Sequence, residues 1–119
     1  MIKLVYCIRR NPALTADEFR RTWLNDHGPL VRSVRETLGM VRYVQSHTLY
    51  DESEGVRASR GAKPPYDGIT EVWFDHIDAL GADPEAAAAA ARQLLEDEER
   101  FVDLENSAVF FTEEHEIFS

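Results

Sequence analysis

The first apolar run, "IKLVYCIRR", alternates as a strand does: Ile2, Leu4, Tyr6 and Ile8 point one way, Val5 and Cys7 the other. Both faces are partly apolar, which predicts that both are covered. Asn11-Pro12 stops the run. The period then changes. In "TADEFRRTWLND", Phe19 and Trp23 stand four apart on one helical face, and Thr15 with Glu18 makes a capping box. Pro29 lacks an amide hydrogen and clashes with the preceding turn, so a break is expected there. The same proline suits the first turn of a second helix, "PLVRSVRETLG", with Leu30, Val34 and Leu38 on one stripe and Gly39 as C-cap.

"MVRYVQSHTLY" returns to period two, with Val41, Tyr43, Gln45, His47 and Leu49 on one face and Val44, Ser46, Thr48 and Tyr50 on the other. From Asp51 to Asp67, about 17 residues are rich in charge, Gly, Ser and Pro; a connection of that length predicts a lid or a disordered loop. "GITEVWFD" reads as a third strand. Asp83-Pro84 caps a helix through "EAAAAAARQLLEDEER", and "SAVFFTEEHEIF" closes the chain as a fourth strand.

The order β-α-β-β-α-β, with its first helix broken in two, predicts an α+β, ferredoxin-like sandwich in one domain over residues 1–119: a four-stranded antiparallel sheet with helices on one face. The other face would hold some of Val5, Cys7, Val44, Val72, Phe74, Phe110 and Phe118. A face that apolar predicts a homodimer packed sheet to sheet.

Charge narrows the partners. Residues 1–60 carry ten basic and seven acidic side chains; residues 61–119 carry three and fifteen, within a chain of net charge -9. Such a chain repels phosphate backbones, and no aromatic–basic interleaving offsets this, so nucleic acid is not an expected partner. No stretch of about 18 apolar residues predicts a membrane span, and the opening is too quickly charged for a signal peptide. The single Cys7 cannot form an internal disulfide, which fits a reducing cytoplasm.

His27 sits in "WLNDHGPLV" with two roles open to it: capping a helix end through orphan carbonyls, or acid–base chemistry near neutrality. The expected break would hold it between two helix ends of opposing dipole. Asp26 is a poor orienter, because adjacent helical positions point apart. His47 shares a strand face with Tyr43, as a pocket wall would. Phe19 and Trp23 read most simply as core. Tyr6 and Trp73 read as core aromatics unless they line a cavity, where Tyr6 would donate a hydrogen bond to a substrate oxygen; Phe111 would add an apolar wall. No His pair has helical ligand spacing and no Cys pair exists, so no metal site is expected. Nothing singles out a haem ligand.

The segments "YCIRRNPALTADEFRRTWLNDHGPLV", "VRYVQSHTL", "YDGITEVWFD" and "EDEERFVDLENSAVFFTEEHEIF" resemble the EthD domain. Phe19, Trp23, His27, Gly28 and Pro29 are the most specific part. The resemblance implies a dimeric α/β barrel. It places the chain near methylmuconolactone isomerases, polyketide cyclases, quinone-forming monooxygenases and haem-degrading enzymes. In several of these a small organic substrate lies between sheet and helices beside a histidine. The expected function is therefore a cofactor-independent isomerase or cyclase acting on a small oxygenated cyclic or aromatic molecule. In it His27 shuttles a proton, His47 and Tyr6 assist, and Trp23, Tyr43, Trp73 and Phe111 line the pocket. A non-catalytic protein that binds a hydrophobic metabolite and a cofactor-free monooxygenase are the alternatives.

Overall fold

The computed structural model describes residues 1–76, 81 and 83–119. Strand β1 (Ile2–Ile8) runs through the middle of the sheet. It pairs antiparallel with β3 (Gly68–Phe74) on one side and β4 (Ala108–Glu113) on the other. Strand β2 (Arg42–His47) pairs antiparallel with β3 and forms one edge, giving the order β2-β3-β1-β4. This is the expected ferredoxin-like topology.

Register decides which side chains face the helices, because residues directly opposite in antiparallel strands share a face. Leu4 lies opposite Val72 and Phe111, Tyr6 opposite Thr70 and Val109, and Val72 also opposite Tyr43. These positions look inward. Val5, Cys7, Val44, Ile69, Trp73 and Phe110 look outward. Val72 and Phe74 therefore belong to the inner face, with Phe74 5% exposed, and Trp73 to the outer one. Phe118 is on neither, since β4 ends at Glu113 and the residue is 89% exposed.

Helix α1 (Ala16–Arg21) begins at the expected capping box, with both of its reciprocal bonds present. No break follows. The chain passes into a π-helical segment, Thr22–His27, and then directly into α2 (Gly28–Ser33). The Gly28 amide reaches back five residues to the Trp23 carbonyl, so the helix widens just before Pro29 and accommodates a ring that a regular α-turn would meet as a clash. Helix α2 ends at Ser33 rather than at Leu38. Gly39, at φ 68°, closes the turns that follow.

The Asp51–Asp67 stretch is not a loop throughout: Tyr50–Arg60 forms α3. The helix buries nothing, so no apolar stripe betrayed it. Acidic Asp51 and Glu52 in its first turn and Arg57 and Arg60 in its last suit the helix dipole, Glu54 pairs with Arg57, and Gly61 ends it in the left-handed conformation. The buried Asp67 anchors its start, accepting from the Tyr50 hydroxyl and from the Arg10 backbone amide at 2.9 Å.

Helix α4 (Pro84–Glu98) starts at Asp83, whose side chain accepts from the Glu85 and Ala86 amides. Two apolar clusters fill the space between sheet and helices. One joins Ile8, Phe19, Trp23, Phe101 and Val102; the other joins Val31, Val34, Ala90 and Leu94. No helix among the described residues is long and apolar enough to cross a membrane.

Candidate active site

Between the inner sheet face and the helices lies a cavity of about 610 Å³ with largely apolar walls. Its polar groups are few: Tyr6, His27, Tyr43, Thr70, Glu98 and Ser107. Trp23 and Phe111 contribute aromatic surface. Of the residues singled out by sequence, Tyr6, Trp23, His27, Tyr43 and Phe111 thus meet at one cavity. His47 and Trp73 do not line it.

The π segment turns Trp23 and His27 inward together, leaving them 1% and 5% exposed. The His27 ring stands edge-on to Phe101, with centroids 5.1 Å apart. Its Nδ1 lies 2.8 Å from Asp97 Oδ2. Asp97 also accepts from the Arg100 guanidinium, at 2.6 and 2.9 Å. Partial burial pushes the Asp97 carboxyl up, but the hydrogen bonds from His27 and Arg100 outweigh this and hold it below the ordinary range. An ionised Asp97 accepts, so Nδ1 carries the hydrogen and Nε2 keeps a free lone pair. Burial lowers the His27 pKa below 6.5; the Asp97 hydrogen bond and charge oppose this only in part. The ring is therefore neutral at pH 7. No helix end lies at His27, so burial rather than opposing dipoles sets its charge.

His27 Nε2 is 3.8 Å from Glu98 Oε2, too far for a hydrogen bond, so each remains available to a molecule in the cavity. Burial raises the Glu98 pKa to about 7, helped by the Asp97 charge and opposed by the Tyr6 hydroxyl. Tyr6 is raised above its ordinary value by burial and by Glu98, and it stays protonated. A neutral base, a carboxyl that is part acid at pH 7 and a phenol donor thus share one largely apolar cavity. This constellation can remove a proton from one atom and deliver one to another.

His47 acts one layer back. Its ring stacks on Trp23 at 4.5 Å and 15°, and its Nε2 lies 3.0 Å from Gln45 Oε1. The Gln45 amide donates to the Trp23 carbonyl at 2.9 Å and to the Tyr43 hydroxyl at 3.0 Å. One side chain of β2 therefore fixes both the π segment and a cavity wall.

Asp97 and Glu98 escaped the sequence reading because they lie 70 and 71 positions from His27. A signal was present nonetheless. "EDEE" places carboxylates in the last turn of a helix, where the dipole opposes them and no basic residue lies in that turn. A local rule broken in this way marks a functional site. Among the described residues, no three His, Cys, Asp or Glu side chains converge as metal ligands.

The sequence profile of the EthD domain matches residues 11–105. In backbone structure the chain is similar to an EthD family protein of Bacillus halodurans, with a TM-score of 0.66 at 19% identity, covering 97% of this chain and 99% of that one. An EthD-like protein of Ralstonia eutropha gives 0.61 at 14% identity, covering 94% and 90%. A protein of Thermobifida fusca, described as dimeric and ferredoxin-like, gives 0.57 at 14% identity, covering 93% and 88%. No functionally curated protein matches the chain in sequence.

Proposed function

The chain belongs to the EthD domain family, and within it we propose a cofactor-independent acid–base enzyme: an isomerase or cyclase acting on a small oxygenated cyclic or aromatic molecule of lactone or polyketide type. One observation carries the proposal. His27 Nε2, backed by Asp97, faces the cavity beside Glu98, whose carboxyl titrates near neutrality.

The substrate's apolar body lies against Trp23, Tyr43 and Phe111, with a carbonyl oxygen towards Tyr6 and Glu98. His27 Nε2 takes a proton from the carbon beside that carbonyl. Glu98, protonated, gives one to the oxygen, with Tyr6 donating a hydrogen bond to the charge that develops there. An enol results. Return of the proton from His27 to a different carbon, and of the enol proton to Glu98, completes an isomerisation and restores both groups. Asp97 is a positioning residue that fixes the tautomer. His47 is one too, through Trp23 and Gln45.

Catalysis of proton exchange tests this without the natural substrate. In D2O, with a panel of cyclic ketones, aryl lactones and β-diketones, the protein speeds loss of the proton signal beside the carbonyl for at least one compound. Exchange at the buffer rate throughout the panel removes the proposal. The pH profile follows from the two shifts. His27 must be neutral, so the rate falls as pH drops through a value below 6.5. Glu98 must be protonated, so the rate also falls as pH rises through about 7. Glu98→Gln cannot give up a proton: it lowers the rate about 10²-fold or more and abolishes the alkaline limb. A limb that survives the substitution assigns it to another group.

The proposed assembly is a homodimer through the outer sheet face. There Val5, Cys7, Val44, Ile69 and Phe110 gather, with Ile69 38% and Phe110 48% exposed. Sedimentation of the wild type gives a dimer, and Phe110→Glu, which puts a charge on the apolar outer face, gives a folded monomer. A monomeric wild type at micromolar concentration contradicts the assembly. A cytoplasmic location accords with the unpaired Cys7.

A further inference from the structure

A second concavity, of about 640 Å³, lies along the open side of edge strand β2. Arg32, Arg35 and Arg42 surround it, and Leu24, Pro29, Val31, Met40 and Val41 give it an apolar floor. No acidic side chain lines it. None of the three guanidinium groups is ion-paired to a carboxylate of the described residues. Arg42 lies over the Trp73 ring at 4.6 Å, and Arg35 reaches only the Val41 carbonyl, at 3.4 Å. In a chain with 22 acidic and 13 basic residues, Arg32 and Arg35, left together without acidic partners, concentrate positive potential where the molecule as a whole is negative.

This groove and the cavity share Val31, Met40 and Tyr43 as lining residues. Those three residues form the wall between them. Met40, unbranched and only partly buried, is the member of that wall able to turn aside. We propose that the arginine groove is the anion subsite of the cavity, so that the substrate is an amphipathic anion. Its apolar ring or acyl part enters the cavity, and its carboxylate or phosphate ester rests on Arg32 and Arg35, while the Arg42 guanidinium stays over Trp73 on the outer sheet face. Guanidinium groups suit either anion, because their forked donors match both oxygen geometries. The proposal rests on the cavity being the substrate site, but not on any catalytic step.

Calorimetric titration of the full-length protein with 2-naphthoate, 2-naphthyl phosphate and neutral 2-naphthol tests it. At low salt the wild type binds at least one anion about tenfold or more tighter than the naphthol, and the stronger of the two names the anion. The advantage shrinks as salt rises, because screening acts on charge alone. Arg32→Gln combined with Arg35→Gln brings the anions to within about twofold of the naphthol and leaves naphthol affinity unchanged, which also shows that the variant is folded. His27→Asn keeps the anion preference, so failed proton exchange and a failed anion subsite are separable results. Equal binding of all three probes by the wild type, or an anion preference that survives the double arginine variant, overturns the proposal.

Discussion

His27→Asn lowers the rate of proton exchange by about 10²–10⁴ and leaves the protein folded. The size follows from what is removed. The asparagine amide can still donate towards Asp97 as Nδ1 does, so the partly buried carboxylate keeps this partner beside Arg100; the basic Nε2 in the cavity is gone. Alanine is the poorer choice, because it would leave Asp97 and a void behind the cavity wall. Asp97→Asn separates positioning from chemistry. Asp97 raises the His27 pKa through its hydrogen bond and charge, so its loss lets burial lower that pKa further. The acid limb of the pH profile therefore moves to lower pH while the maximal rate falls. Unchanged turnover in His27→Asn, with any competent substrate, ends the proposed mechanism.

Trp23→Ala costs about 3–5 kcal/mol of stability and lowers Tm by more than about 10 °C, measured by thermal unfolding. Trp23 is the largest fully buried side chain and joins three parts of the molecule. Phe19 packs against it at 5.3 Å, His47 stacks on its far side, and its carbonyl ties the π segment to Gln45. Below it lies Gly68, where an added Cβ would fall 2.6 Å from Trp23 Cη2 and closer still to Cζ3. That approach explains a glycine at the head of a buried strand. Gly68→Ala is the complementary overpacking change and costs about 1–3 kcal/mol. Because domains of this size are stable by only about 5–15 kcal/mol, the tryptophan variant should be studied well below its midpoint.

The elements that obeyed local rules were legible. Thr15 with Glu18, Asp83-Pro84 and the alternating strands gave starts, stops and order, and that order left one topology. Three things were hidden, each for a physical reason. Gly28-Pro29 looked like a break because the widening that accommodates Pro29 is a hydrogen-bond shift, which composition does not encode. Helix α3 carries no buried residue, so its stability lies in charges and a cap rather than in a hydrophobic period. Strand parity was ambiguous because β1 is apolar on both sides; only the register places Trp73 outside and Val72 inside.

The candidate site divides the same way. Tyr6, Trp23, His27, Tyr43 and Phe111 were nameable from residue type and neighbourhood and do meet at the cavity. Asp97 and Glu98, which give the histidine its tautomer and its acidic neighbour, come from the far end of the chain through the packing of α4 on the π segment. Only the fold brings them together. His47 has the right chemistry but stands one layer back, behind Trp23.

At pH 7 the cavity holds a neutral histidine beside a carboxyl poised near neutrality. Carbon-13 NMR of the Glu98 carboxyl in the unliganded protein, followed across pH, tests it most directly. The expected midpoint is about 7, with the His27 ring neutral and its hydrogen on Nδ1 at that pH. A midpoint at the ordinary 4.5 contradicts it, since Glu98 would then be ionised throughout the neutral range with no proton to give.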